Sequence, residues 1–115
     1  MQENRVQACR SISERYKAHV VLKGNGSILT ARDGHWFVNT TGNSGMASAG
    51  MGDVLTGMLG ALLAQHYSGE AALVLGVHLH GAAADELVRD GKGPVGLTAT
   101  ELLDPARRIW NSWLA

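Results

Sequence analysis

The sequence predicts an α/β fold whose strands are few for its helices. Three observations carry this. His19–Leu22 is a short apolar run rich in β-branched residues. Two further β-prone segments, Ser27–Ala31 and His35–Asn39, flank Arg32-Asp33-Gly34. Beyond Asp53 the apolar residues fall at helical spacing over two long stretches.

In chain order, Val6–Lys17 reads as a helix of mixed polarity. His19–Leu22, closed by Lys23-Gly24, has the composition of a buried strand, a type common in parallel sheets. Asp33-Gly34 between two β-prone runs signals a hairpin. Asn39–Ser48 has no periodicity and reads as loop. A helix follows from Asp53 to about His66, with Val54, Leu55, Met58, Leu59, Leu62 and Leu63 spread over a wide apolar arc. Gly57 and Gly60 inside it each cost about 1 kcal/mol relative to Ala, which predicts close packing at both. A second apolar helix runs from about Glu70 to Arg89. Asp90–Gly96 is turn-rich, Thr98 with Glu101 forms a capping box, and Pro105–Leu114 is the last helix.

The 115 residues are enough for one small core, and 45% apolar with 17% charged residues is ordinary for a globular domain. Ten basic residues balance ten acidic ones, so no global field draws nucleic acid or an anionic membrane. The single cysteine, Cys9, forms no internal disulfide and fits a reducing cytoplasm. Met1–Arg5 lacks a signal-peptide core. The apolar runs Val54–Ala64 and Ala71–Val77 are shorter than the roughly 20 residues that span a bilayer. A cytoplasmic location is the expectation.

Glycine, at 15 residues, is the anomaly, and it concentrates chemistry at Gly42–Asp53. A glycine-rich stretch that opens a helix offers backbone N–H groups and the positive end of a helix dipole to an anion. No Gly-Lys-Ser/Thr follows, so the segment is not a P-loop. Gly24-Asn25-Gly26 precedes a hairpin rather than a helix, so it is not a dinucleotide fingerprint. Ser44 and Ser48 lack the spacing of a nucleophile elbow. What remains is Gly-Met-Gly-Asp at a helix start. Phosphoryl transfer to a hydroxyl suits it, with N–H groups holding the phosphate and Asp53 taking the hydroxyl proton. Asp is also a preferred helix cap, so the residues alone leave a turn-and-cap reading open. Lys23 at a strand end is placed for phosphate or simply for solvent. His78 and His80, two apart on a helix, point to different faces and make no metal pair. Met46, Met51 and Met58 read as packing residues, and Trp110 and Trp113 as cover for the core or for a partner surface.

Gly45-Met46-Ala47-Ser48-Ala49-Gly50-Met51-Gly52-Asp53-Val54-Leu55-Thr56-Gly57 closely resembles the signature of the ADP-dependent NAD(P)H-hydrate dehydratases, members of the ribokinase-like superfamily. Val20–Ser27 and His80–Asp85 are similar to further segments of that family, and the resemblance spans about residues 15–110. It implies the C-terminal portion of a three-layer α/β/α domain, with the N-terminal half absent from residues 1–115. It also implies repair of hydrated NADH and NADPH, driven by ADP (ATP in some members) with Mg2+. The ring hydroxyl would be phosphorylated and then eliminated. By the same resemblance Lys23, Gly24, Asn25, Gly26, Ser27, Gly50 and Gly52 contact the nucleotide, and Asp53 faces the hydrate as catalytic residue. An epimerase domain fused upstream is the implied partner, and a homo-oligomer is a further expectation that the resemblance does not supply. Ser27 stands where the family commonly has Thr, and Ser44 where it commonly has Pro or Ala. The missing half predicts that these residues alone do not hold both substrates. A small-molecule kinase of the same fold and a non-catalytic nucleotide-binding fragment are the competing functions.

Overall fold

The computed structural model describes residues 2–23 and 26–114. Helix α1 (Gln2–Tyr16) leads into three strands, β1 (Val20–Leu22), β2 (Ile28–Thr30) and β3 (Trp36–Val38), followed by α2 (Met51–Ala64), α3 (Gly69–Arg89) and α4 (Leu103–Leu114). Short 3-10 turns at Ser44–Met46 and Ala99–Leu102 precede α2 and α4.

The sheet order is β1-β2-β3, and both pairings are antiparallel. His19–Leu22, read as a buried strand of a type common in parallel sheets, is half-buried and pairs antiparallel with β2. A short apolar run marks burial, but it carries no information on the direction of its partner. The hairpin is as expected, with Asp33-Gly34 at its tip. Ala31 N donates to His35 O at 2.8 Å and Gly34 N to Ala31 O at 3.0 Å, with Gly34 at φ +97°. This is a three-residue loop closed by a left-handed glycine. Asp33 reinforces it by accepting from His35 N at 3.1 Å.

β2 is buried throughout and sits between two layers. Leu29 packs with Leu55 of α2 and Val77 of α3. Strand alternation turns Ile28 and Thr30 to the opposite face, where α1 lies. Cys9 and Ser13, one turn apart on α1, are buried there. Ser13 Oγ donates to Ala18 O at 2.6 Å, which fixes the end of α1 against the start of β1. The order is helix, sheet, helices.

The main core lies among α2, α3 and α4. Leu79, Ala83, Leu87, Leu102 and Ala106 form it with Met51, and Met46 and Met58 pack against it as expected. Small residues let α2 and α3 approach: a Cβ on Gly76 would stand 2.5 Å from Leu59 Cδ2. Trp110 meets Tyr67 edge-on at 5.8 Å, while Trp113 stacks on His78.

Three expectations change. Gly57 and Gly60 are not packing points; nothing lies within 4 Å of a Cβ built on either, because they occupy the exposed side of α2. The helix begins at Met51, so Asp53 lies inside its first turn. α3 runs from Gly69 to Arg89, as expected from Glu70–Arg89, but its apolar character extends beyond the run Ala71–Val77. At 21 residues it is long and apolar enough to cross a membrane, but half of the qualifying stretch is buried inside this fold.

Candidate functional site

The start of α2 is built by a backbone that only its glycines allow. Gly50, the N-cap, has φ +86° and supplies no capping side chain, and a Cβ there would stand 3.3 Å from Ala99 Cβ. Ser48 Oγ holds the approach, within 3.0 Å of Gly45 O and 2.8 Å of Leu97 O. Met51 N donates to Ser48 O at 3.4 Å and Val54 N to Gly50 O at 3.0 Å. Between them, the N–H groups of Gly52 and Asp53 meet no acceptor among the described residues. These are the donors a helix leaves unpaired at its start.

Lys23 ends beside them. Its Nζ lies 2.7 Å from where a Gly52 Cβ would stand. Two free N–H groups, the positive end of a 14-residue helix dipole and an ammonium thus converge on one small region. Asp53 stands in the same turn, exposed, and makes no hydrogen bond or ion pair among the described residues. It does not cap the helix, since Gly50 holds that position.

Beneath this turn is a cavity of about 360 Å³. Its apolar lining includes Val21, Met51, Leu55 and Val77. Its polar lining includes Lys23, Ser27, Asn43 and His80, together with the other residues of 39–44. That volume and mixture suit a small organic ligand with a few polar groups.

The structure therefore brings Lys23, Gly26 and Ser27 to the cavity wall and joins Gly52 to them through Lys23. Gly50 and Asp53 do not line the cavity; they lie on the open side of the α2 start. Gly24 and Asn25 lie outside the described residues.

Three features were not legible from the motif. Thr41 sits against Gly81, where any Cβ would collide with its hydroxyl and backbone. Asp85 accepts from Gly42 N and from Asn43 Nδ2, each at 2.9 Å. His80 is 6% exposed, and its Nε2 has no hydrogen-bond partner among the described residues. Burial pushes the His80 imidazole below its usual pKa and the Lys23 charge pushes it further, against a smaller opposing effect of the Met51 backbone. His78 is exposed on another side of α3, so the two histidines do diverge. The one available signal was polarity, since His80 and Asp85 fall among the apolar residues of α3.

A free helix N-terminus with a lysine and a carboxylate beside it, at the edge of a ligand-sized cavity, is an arrangement suited to an anion in an α/β fold. The chain belongs to the NAD(P)H-hydrate dehydratase family, whose model matches residues 1–108. It is 41% identical over 111 residues to the ADP-dependent (S)-NAD(P)H-hydrate dehydratase of Neisseria meningitidis, covering 96% of this chain and 38% of that protein. It is 40% identical over 111 residues to the bifunctional NAD(P)H-hydrate repair enzyme of Escherichia coli, covering 96% of this chain and 21% of that one. Its fold superposes with a TM-score of 0.90 and 34% identity on the ADP/ATP-dependent NAD(P)H-hydrate dehydratase of Bacillus subtilis, co-crystallized with ATP/Mg2+. That match covers 97% of this chain and 40% of the other. The chain thus spans about a fifth to two fifths of these relatives. The resemblance read from Gly45–Gly57 holds at the level of family and fold.

Proposed function

We propose that this chain supplies the nucleotide side of an enzyme that dehydrates NADH and NADPH hydrates, using ADP or ATP as phosphoryl donor. One observation carries the reading: Lys23 Nζ and the free N–H groups of Gly52 and Asp53 converge at the start of α2. Phosphate is the group that such a convergence holds best.

In this reading Lys23, Gly24, Asn25, Gly26 and Ser27 bind the nucleotide from the β1–β2 connection, with Gly50 and Gly52 opposite them. The cavity takes the less polar part of the nucleotide. The hydrate approaches from the open side of α2, where Asp53 takes the proton of its ring hydroxyl as that oxygen attacks the terminal phosphorus. The bond from phosphorus to the bridging oxygen breaks, and AMP leaves when ADP is the donor. The new phosphate ester is then eliminated with a ring proton, which restores the dihydronicotinamide double bond. A positioned base is typically worth roughly 10²–10⁴ in rate.

Among the described residues there is no group of three His, Cys, Asp or Glu side chains that could hold a metal ion. Mg2+, which accompanies ATP in the Bacillus subtilis crystal, would travel on the phosphates with its own waters, and no step here is routed through it. The remaining hydrate contacts come, in this reading, from the part of the domain that lies outside residues 1–115. The name of the Escherichia coli relative supports a second repair activity on the same polypeptide in such proteins.

The test is recovery of dihydronicotinamide absorbance from NADH hydrate with ADP. The assay uses a chimera in which this chain replaces the matched part of the Bacillus subtilis enzyme. Recovery that stops when ADP is omitted is expected. A chimera that binds ADP yet restores no absorbance overturns the dehydratase reading and favours a kinase for another alcohol.

A further inference from the structure

The wall of the cavity is a loop whose one regular piece is the 3-10 turn Ser44–Met46, and something must hold it in place. Residues 39–47 supply eight of the cavity-lining positions, more than any single helix or strand contributes. A loop of this kind has no ladder of its own to fix its backbone. Asn39 N donates to Ser27 O at 2.8 Å and Gly45 O accepts from Ser48 Oγ at 3.0 Å, and between these ends the loop is held by one face of α3. Thr41 Oγ1 donates to His78 O at 2.9 Å. Gly81 lets the Thr41 backbone lie directly against the helix. One turn further, the Asp85 carboxylate accepts from Gly42 N through one oxygen and from Asn43 Nδ2 through the other, each at 2.9 Å. Positions 78, 81 and 85 share a helix face at i, i+3 and i+7.

Asn43 passes the constraint on. Its Oδ1 accepts from Gly45 N at 3.0 Å and opens the 3-10 turn Ser44–Met46. That turn leads to Ser48, which in turn sets the start of α2. A chain of hydrogen bonds therefore runs from Asp85 through Asn43 and Gly45 to the Gly50–Asp53 turn. Both Asp85 oxygens face the loop, and the carboxylate makes no ion pair among the described residues.

We propose that Asp85 is a positioning residue for nucleotide binding: by clamping Gly42 and Asn43 it fixes the cavity wall and the approach to α2. The inference rests on the nucleotide reading above. It requires a particular pairing, a carboxylate on α3 facing an amide on the loop. Exchanging the two groups preserves that pairing. In the double variant Asp85→Asn, Asn43→Asp, the amide now on α3 accepts from Gly42 N and donates to the carboxylate now on the loop. The other oxygen of that carboxylate still accepts from Gly45 N.

The experiment is calorimetric titration of ADP into the protein, its D85N and N43D variants and the exchanged double variant, with the Tm of each measured alongside. D85N is expected to weaken ADP binding about tenfold, the loss of one hydrogen bond to a charged group. N43D, which sets two carboxylates face to face, should weaken it at least as much. The exchanged variant should recover affinity to within about threefold of the parent, since the coupling between touching groups is restored. Should the single variants fail to fold, the exchanged variant alone decides by whether it folds and binds. A D85N protein with lowered Tm but unchanged ADP affinity, measured well below its Tm, makes Asp85 merely structural and overturns the proposal. An exchanged variant as weak as the singles also overturns it. Failure of the parent protein itself to bind ADP removes the nucleotide reading and this inference together, and no other outcome removes both.

Discussion

Lys23 and Gly52 occupy one another's space: the lysine Nζ lies 2.7 Å from where a Cβ on Gly52 would project. The ammonium can rest against the first turn of α2 only because residue 52 has no side chain. Replacing Gly52 with Ala therefore pushes the lysine away and covers the adjacent N–H. Gly52→Ala and Lys23→Met should each weaken ADP binding by about tenfold or more, as charge-assisted hydrogen bonds are lost. The double variant should lose less than the product of the two, because both remove the same arrangement. Titration of ADP into the three proteins measures this. Strictly multiplicative losses would mean that the two residues act separately.

Asp53 separates chemistry from stability. It is exposed, makes no hydrogen bond or ion pair among the described residues, and is not the N-cap of α2. Its contribution to the fold is then limited to a charge near the helix start, typically about 0.3–1 kcal/mol. Asp53→Asn should abolish NADH-hydrate turnover in the active chimera while ADP affinity stays within a few-fold and Tm falls only slightly. Paired measurements of turnover and ADP titration check this. A large loss of ADP affinity would assign the carboxylate to nucleotide binding instead.

Parts of this were legible beforehand, for identifiable reasons. Asp33-Gly34 demands a tight turn, so the β2–β3 hairpin could be read locally. The Gly45–Asp53 segment is contiguous, so its anion-binding character was also local. The apolar stretches of α2 and α3 announced buried helices. Strand direction was not legible, because Val20–Leu22 has the same composition whichever way β2 runs. Nor was the Asp85–Asn43 pairing, which joins residues 42 apart and shows in sequence only as one of several polar residues on a largely apolar helix. Gly57 and Gly60 misled because a glycine's cost is visible in sequence while its neighbours are not.

Those two glycines provide a stability test. Both lie within α2, exposed, with nothing within 4 Å of a built Cβ. Alanine at either position adds helix propensity and meets no obstruction here. Gly57→Ala and Gly60→Ala should each stabilise this chain by up to about 1 kcal/mol. Chemical denaturation of the 115-residue chain measures it. Destabilisation by Ala in the Bacillus subtilis chimera, but not in the isolated chain, would show that the rest of the domain packs on this face.

His80 gives the fold a dependence on pH whose sign can be worked out. Its pKa in the folded chain is lowered from 6.5, first by burial and then by the charge of Lys23. The unfolded chain therefore binds this proton more readily than the folded one. As pH falls through 6.5 the unfolded state gains the proton first, so stability declines and levels off only below the folded pKa. Well above that value the histidine is neutral in both states and has no effect. The other shifted groups, Asp33 and Glu101, are exposed carboxylates with lowered pKa values. They act below their ordinary values of 3.8 and 4.5, in a separate window. Urea unfolding between about pH 7 and pH 5 should show the decline in the parent and a flatter profile in His80→Gln. Lys23→Met, which removes the second cause, should reduce the slope without abolishing it, because burial is the larger one. An equal slope in the parent and His80→Gln would show that this imidazole does not set the pH dependence of the fold.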